Sequence, residues 1–110
     1  DLTRTNTVSA RITGRIDRLY FKTVGDYVRK GSKIIDLYSE ELNNAKREYL
    51  LALEKQRTLR SDVVDFEQVV QSARQKLTLW GLTESQIDEI ARSGKVSDHT
   101  TFYSPYNGFI

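Results

Sequence analysis

The first third of the chain has a partly alternating pattern of strand-favouring and polar residues, which is the two-residue period of β-strands. Gly14 interrupts the alternation, whose strand-favouring positions are Thr7, Val8, Ala10, Ile12, Ile16, Leu19 and Phe21. Gly25 and Gly31 then bracket a short apolar–polar segment, and glycine favours turns because it adopts positive φ without a steric penalty. With the apolar segment Lys33–Tyr38, residues 1–38 predict a β region of strands and tight turns.

From residue 39 to residue 81 the period becomes that of an amphipathic helix. Ser39 is a suitable N-cap, Glu40 and Glu41 place negative charge in a first turn, and Gly81 stands where a C′ glycine ends a helix. Between these limits one residue series repeats at alternating spacings of three and four, as in the seam of a coiled coil. The seam consists of Leu42, Ala45, Tyr49, Ala52, Gln56, Leu59, Val63, Phe66, Val70, Ala73, Leu77 and Trp80. We expect Tyr49, Phe66 and Trp80 to fill the layer between helices, and Gln56 to lie where the seam opens to water.

Two interpretations of this helical stretch are open. One is a single helix of about 42 residues, roughly 63 Å long at 1.5 Å per residue, that pairs with another chain. The other is a hairpin bent near residues 60–63, since Ser61 and Asp62 are capping residues in mid-stretch. Asp65 and Glu67 would then place negative charge in a new first turn.

A short internal repeat favours the hairpin. Residues 10–16 and residues 104–110 share one spacing pattern. In each segment a small residue is followed by an apolar residue two positions later, by Gly four positions later and by Ile six positions later. Such a repeat predicts two halves of one sheet. The halves can meet only if the helical stretch returns to its start, so we expect two antiparallel helices.

The last segment predicts a short helix followed by more β structure. Thr83 and Gln86 have the spacing of a capping box, Leu82 and Ile87 that of a hydrophobic staple, and Gly94 ends the pattern. Residues 101–103 resume the strand pattern, before a Ser-Pro corner and the tight-turn signal Asn-Gly at 107–108.

Composition narrows the possible chemistry. The chain has 110 residues and a net charge of +2, which does not favour a nucleic-acid-binding protein. Cysteine and methionine are absent, which excludes disulfides and thiolate or thioether metal ligands, and the single histidine, His99, stands beside Asp98 without further ligands nearby in sequence. We therefore expect no metal site. Apolar runs stay well short of the ~20 residues that span a bilayer, so we expect no membrane insertion of this segment.

Four motifs in order resemble a known family. Gly14-Arg15-Ile16 and then residues 24–37, which contain Gly25-Asp26-Tyr27-Val28-Arg29-Lys30-Gly31, resemble the lipoyl/biotinyl half-motif. Residues 38–49 resemble the start of the helical hairpin in the periplasmic adaptor subunits, or membrane fusion proteins, of bacterial tripartite RND-type efflux pumps. Residues 79–87 resemble the stretch after the hairpin in the heavy-metal branch, and residues 104–110 resemble the opening of a second lipoyl half-motif.

This resemblance implies an α+β fold in which lipoyl-like β half-motifs are interrupted by an antiparallel helical coiled-coil hairpin. The expected divisions are 1–38 for the first half-motif, 39–81 for the hairpin, 82–94 for the short helix and 95–110 for the start of a second half-motif that continues beyond this chain. Carrier lipoyl domains modify a lysine between their halves, whereas Lys30 and Lys33 belong to the 25–31 turn region, so we expect no cofactor.

The same resemblance implies a function. It is that of a non-catalytic adaptor in the periplasm, anchored to the inner membrane, that links an inner-membrane transporter to an outer-membrane channel. The transporter contacts would come from absent domains, neighbouring adaptor protomers would be further partners, and the hairpin tip would meet the channel. The candidate tip residues are Lys55, Arg57, Arg60, Asp62 and Asp65.

Two other functions compete with this one. A generic coiled-coil dimerisation module with β caps would fit the continuous-helix interpretation. An enzyme or cofactor-carrying domain is the third hypothesis, but the sequence offers no nucleophile–base pair, phosphate-binding loop or modifiable turn lysine.

Overall fold

The computed structural model describes residues 13–21, 25–59 and 64–109, which form two compact units. The β unit comprises residues 14–39 and the segment from Asp98 onward, and the helical unit includes residues 40–97. Residues 1–12, with the predicted strand positions that precede Gly14, lie outside the described residues.

The described residues of the β unit form five strands: β1 (Arg15–Leu19), β2 (Tyr27–Val28), β3 (Lys33–Tyr38), β4 (His99–Tyr103) and β5 (Gly108–Phe109). One antiparallel sheet has the order β1-β3-β4, and a second pairs β2 with β5. Tyr38 is the register partner of Arg15 on one side and of His99 on the other. Strands that lie some sixty positions apart in the chain are therefore direct neighbours, as the doubling-back interpretation requires.

The prediction that the two repeat segments join one sheet is wrong. The first segment leads into β1, which pairs with β3, whereas the second leads into β5, which pairs with β2. The reason is a set of contacts at the turn before β3. There the Lys30 amide donates to Asn107 Oδ1 at 2.7 Å, and the Gly31 amide donates to the Ser104 carbonyl at 2.8 Å. These bonds hold Asn107, and β5 directly after it, beside β2. The bend lies at residues 105–106, and Gly108 of the predicted Asn-Gly turn is instead the first residue of β5.

In the helical unit, the part of the chain that the structure describes forms three helices: α1 (Glu40–Thr58), α2 (Phe66–Leu79) and α3 (Glu84–Ser93). Lys76 Nζ lies 3.6 Å from Glu48 Oε2, and Arg74 donates to Tyr49 Oη at 3.0 Å, so the end of α2 lies beside the first half of α1. The two helices are therefore antiparallel. This confirms the α+β class with a helical hairpin and excludes one continuous helix over 39–81. The predicted bend at residues 60–63 lies outside the described residues.

Local signals set the helix ends. Asp65 is the N-cap of α2 and accepts a hydrogen bond from the Gln68 amide at 3.1 Å. At the other end the Leu82 amide donates to Leu77 O and the Gly81 amide to Thr78 O, which is a Schellman motif with Gly81 at φ +105°. The predicted capping box of Thr83 and Gln86 is present at the start of α3.

Seam positions are buried from Leu42 to Ala52 on α1 and at Val70 and Leu77 on α2. Leu42, Leu77 and Ile87 have no exposed surface, and Tyr49 is 3% exposed. Phe66 and Trp80 are partly buried, so their place in the interhelical layer stays a prediction. They are the first residue of α2 and the residue that caps its end, where fewer neighbours surround a side chain.

Arg74 joins the three helices. It donates to Tyr49 Oη on α1, and on α3 to Asp88 Oδ1 at 2.8 Å and to Glu84 Oε2. Glu84 first and Asp88 second raise the pKa of the Arg74 guanidinium, since both favour its charged form.

Replacing Arg74 should weaken this junction. Arg74→Gln is expected to lower the free energy of unfolding by about 1 kcal/mol, because charge-assisted bonds are lost but both carboxylates are largely exposed to water. Urea unfolding measures the change. Arg92→Gln is the matched control, since Arg92 pairs with Glu89 inside α3 alone, and an equal loss in the two variants would contradict the proposed junction.

Gly14 is required by a close approach between β1 and the end of β3. A Cβ at this position would lie 2.5 Å from the Tyr38 carbonyl oxygen and 3.1 Å from Leu37 Cγ. Gly14→Ala should therefore lower the free energy of unfolding by about 1–3 kcal/mol. Thermal unfolding measures the change. Gly108→Ala is the control and should be nearly neutral, because a Cβ at Gly108 would meet only the exposed Tyr106 ring at 3.4 Å.

Asp36 on β3 accepts hydrogen bonds from Thr101 Oγ1 and Tyr20 Oη, each at 2.7 Å. Thr101 first and Tyr20 second hold the pKa of the Asp36 carboxyl below its ordinary value, because both bonds favour the carboxylate. The stabilisation is therefore fully present above the unfolded-state pKa, about 4, and is lost as pH falls through the lower folded-state pKa.

Asp36→Asn removes this acid-sensitive contribution. The variant should be less stable than the unsubstituted chain at neutral pH, and its free energy of unfolding should fall less between about pH 5 and pH 2. Thr101→Val, which removes one donor, should move the acid-induced loss to higher pH. Circular dichroism monitors the acid unfolding of all three chains. Parallel profiles would contradict the assignment of the acid-sensitive stabilisation to Asp36.

Candidate partner-binding surface

The end of the helical hairpin nearest the α1–α2 connection, which we call the hairpin end, comprises residues 55–59 and 64–68. Here the seam opens to solvent: Gln56 is exposed and Leu59 is 51% exposed. Val64, which is the sequence neighbour of a seam position, is 44% exposed. The position expected for Gln56 is therefore correct. The hairpin end presents apolar and polar groups together to solvent.

Three of the five candidate tip residues are described, and all three lie at the hairpin end. Lys55 and Arg57 are exposed in the last turn of α1, where positive charge is favourable at the negative end of the helix dipole. Asp65 is also exposed, and its carboxylate caps α2. Arg60 and Asp62 lie outside the described residues. Contact of any of the five with a partner stays a prediction.

A groove of about 490 Å³ runs along the hairpin between α1 and α2. Leu51 and Val69 stand at its edges with 51% and 45% of their surface exposed. The residues that line it are Glu48, Leu51, Ala52, Lys55, Gln68, Val69, Ser72, Ala73 and Lys76. The groove is therefore mostly apolar, with charged side chains at both ends.

Sequence reasoning did not single out Leu51 or Val69 because neither belongs to the three-four series. Each is the neighbour of a seam residue, Ala52 and Val70 respectively. A second apolar position beside a seam residue was the available signal, because it widens the apolar stripe beyond what one helix–helix seam covers.

Charged side chains also meet in the β unit. Asp17 lies 2.6 Å from Arg15 Nε through one carboxylate oxygen and 2.6 Å from His99 Nε2 through the other. Arg15 first, with a smaller contribution from His99, holds the pKa of Asp17 below its ordinary value against the opposing effect of desolvation. Arg15 also lies over the Tyr38 ring at 4.9 Å, so this cluster ties β1 to β3 and β4.

Within residues 13–21, 25–59 and 64–109, histidine, aspartate and glutamate side chains do not gather in groups of three that could hold a metal ion. Among the same described residues, each helix is too short or too polar to cross a membrane.

Comparison with known proteins identifies the domain to which the helical unit corresponds. The sequence model of the CusB three alpha-helical bundle domain matches residues 41–98, which cover α1, α2 and α3. The cation efflux system protein CusB of Escherichia coli K12 is 32% identical over 103 residues, which is 94% of this chain and 23% of CusB. SilB of Salmonella typhimurium, named as a membrane fusion protein, is 27% identical over 94% of this chain and 22% of its own length.

The chain thus spans less than a quarter of the length of these curated relatives. Among solved structures, ZneB from Cupriavidus metallidurans matches with a TM-score of 0.41 and 23% identity, over 90% of this chain and 48% of the ZneB chain. The family model covers more than half of the chain and coincides with the observed three-helix unit. The chain therefore belongs to the CusB family of membrane fusion proteins, and its residues 41–98 are the family's three-helix bundle domain.

Proposed function

We propose that this chain is part of a non-catalytic periplasmic adaptor of a heavy-metal efflux system, which links an inner-membrane transporter to an outer-membrane channel. Family membership supports the adaptor role, and similarity to the cation efflux system protein CusB supports a metal cation as the exported substrate. The adaptor would be anchored to the inner membrane and would contact the transporter through parts of the protein outside this chain.

The observation that carries this proposal is the difference between the two ends of the hairpin. Where α1, α2 and α3 meet, the seam is closed, with Leu42 and Leu77 fully buried, whereas at the hairpin end Leu59 and Val64 remain about half exposed. A helix pair that is rigid at one end and leaves apolar seam positions open at the other can continue its packing onto helices of a partner. The outer-membrane channel is the partner that the adaptor role requires there.

Charge gives the contact its register. Lys55 and Arg57 place two exposed cations beside the open seam, and Asp65 places an anion at the start of α2. Charges at the rim of an interface affect orientation and association rate more than final affinity. We assign the channel contact to Lys55, Arg57, Arg60, Asp62 and Asp65.

The division of the chain follows the same proposal. Residues 1–38 and 95–110 would belong to lipoyl-like half-motifs, 39–81 to the hairpin and 82–94 to the short helix. The pairing of β3 with β4 supports this division, because it joins one strand from each β segment. In this role the β segments carry no cofactor.

Charge reversal at the hairpin end tests the channel contact. The double variant Lys55→Glu and Arg57→Glu, introduced into the full-length protein together with its transporter and channel, should reduce cross-linking to the channel about tenfold and lower metal tolerance of the cells. Both side chains are exposed, so the fold should be retained.

Arg47→Glu is the matched control, since Arg47 is an exposed cation on the same helix about 15 Å from Arg57 along the axis. This control should leave cross-linking and metal tolerance unchanged. Undiminished cross-linking of the double variant, with the protein at normal abundance, would remove the basis for the hairpin-end assignment.

A further inference from the structure

The groove between α1 and α2 has the size of a small-molecule site. All of its lining residues belong to these two helices, and its volume of about 490 Å³ lies within the range of ligand pockets in proteins. Two seam alanines, Ala52 and Ala73, line it. The seam neighbours Tyr49 and Val70 are larger and buried. The groove therefore follows from the short alanine side chains, which leave the space between the helices unfilled.

The groups along the groove have a defined order. At the level away from the hairpin end, Glu48 Oε2 and Lys76 Nζ lie 3.6 Å apart. Leu51 and Val69 form the edges of the apolar part, and Lys55 lines the groove near the hairpin end. Glu48 and Lys55 are two helical turns apart, so the apolar part is about 10 Å long. It has a charge pair at one end and a cation at the other.

The cation at the hairpin end is the group of the groove that is available to a ligand. Lys76 is engaged by Glu48 and also lies over the Trp80 ring at 5.1 Å. Lys55, by contrast, forms no ion pair within residues 13–21, 25–59 and 64–109. The Gln68 side chain lines the same end and adds amide donors. An anionic group is therefore favoured at this end, and an apolar group along the rest of the groove.

We propose that the groove binds a medium-chain fatty acid. Its carboxylate lies at Lys55, and its alkyl chain follows the alanine floor toward the Glu48–Lys76 pair. The apolar part of about 10 Å accommodates about eight carbons of an extended chain. The charge pair disfavours a chain that continues past it, which distinguishes a free fatty acid of this length from the longer acyl chains of membrane lipids.

This inference does not rest on the proposed function, because the groove lies within the helical unit and binding requires neither a transporter nor a channel. Where the proposed function holds, the bound carboxylate would also neutralise one of the cations assigned to the channel contact. The experiments measure binding to the purified full-length protein alone, so their failure would leave the adaptor role untouched.

A series of chain lengths tests the apolar part of the site. Isothermal titration calorimetry with hexanoate, octanoate, decanoate and dodecanoate, each below its micelle-forming concentration, gives the dissociation constants. The Kd should fall about two- to fourfold per added methylene and reach on the order of 0.1–1 mM at decanoate. It should then change little at dodecanoate, because the longer chain passes the Glu48–Lys76 pair into water. Absence of decanoate binding, or a Kd that falls as steeply from decanoate to dodecanoate, would overturn the proposal.

A charge variant tests the position of the carboxylate. Lys55→Gln should raise the Kd of decanoate about three- to tenfold and leave the Kd of the uncharged analogue decanol nearly unchanged. Arg57→Gln is the matched control, since Arg57 is a cation in the same last turn of α1 that does not line the groove. The control should leave both constants unchanged. Equal weakening of decanoate binding by the two variants would indicate non-specific charge attraction and overturn the site.

Filling the floor of the groove tests its location. Ala73→Leu should raise the Kd of decanoate and of decanol about tenfold, because the added side chain occupies the space of the alkyl chain. Far-UV circular dichroism of the variant checks that the helices are retained. Unchanged decanoate binding by the folded variant would place the ligand elsewhere. Binding of the protein to phosphatidylglycerol vesicles without binding of free decanoate would assign the surface to membrane lipid and overturn the proposal.

Discussion

The pairing of β3 with β4 joins the two chain segments on either side of the helices. These strands are separated by the whole helical unit, and closing a flexible loop of about sixty residues costs roughly 3–4 kcal/mol of chain entropy. The helical unit reduces this cost by holding its own last residues against α1, where the Lys46 ammonium donates to the Ser97 carbonyl at 3.1 Å. Helix packing and strand pairing therefore favour each other's formation.

Packing divides the hairpin into parts with different roles. The third helix closes the seam over one half, where Arg74 joins all three helices and Leu77 is fully buried. In the other half the described residues form two helices, and Leu59 remains exposed there.

Local signals in the sequence were sufficient to predict the helices but not to predict which elements pack against them. The capping residue Thr83 and the terminal Gly81 fixed helix ends because capping involves residues a few positions apart. The three-four series located the buried positions Leu42 and Leu77, but it could not show that Phe66 would lie at an end with few neighbours. Periodicity reports which face is apolar and gives no information on how many elements surround it.

Contacts between residues that are distant in sequence could not be predicted from periodicity. The role of Arg74 depends on carboxylates ten and fourteen positions away on another helix, and β5 pairs with β2 because of a turn contact spanning most of the chain. The predicted residues Lys55 and Asp65 do lie at one end of the hairpin, because an antiparallel pair brings the end of α1 to the start of α2.

The helices are inserted between the register partners Tyr38 and His99, so the length of the hairpin can change without changing the strand pairing. Matched insertions of seven residues in α1 and α2 would lengthen the hairpin by about 10 Å while preserving every strand partner. The length of the hairpin can thus differ between related chains through changes confined to its distal helical turns, with the strand pairing unchanged.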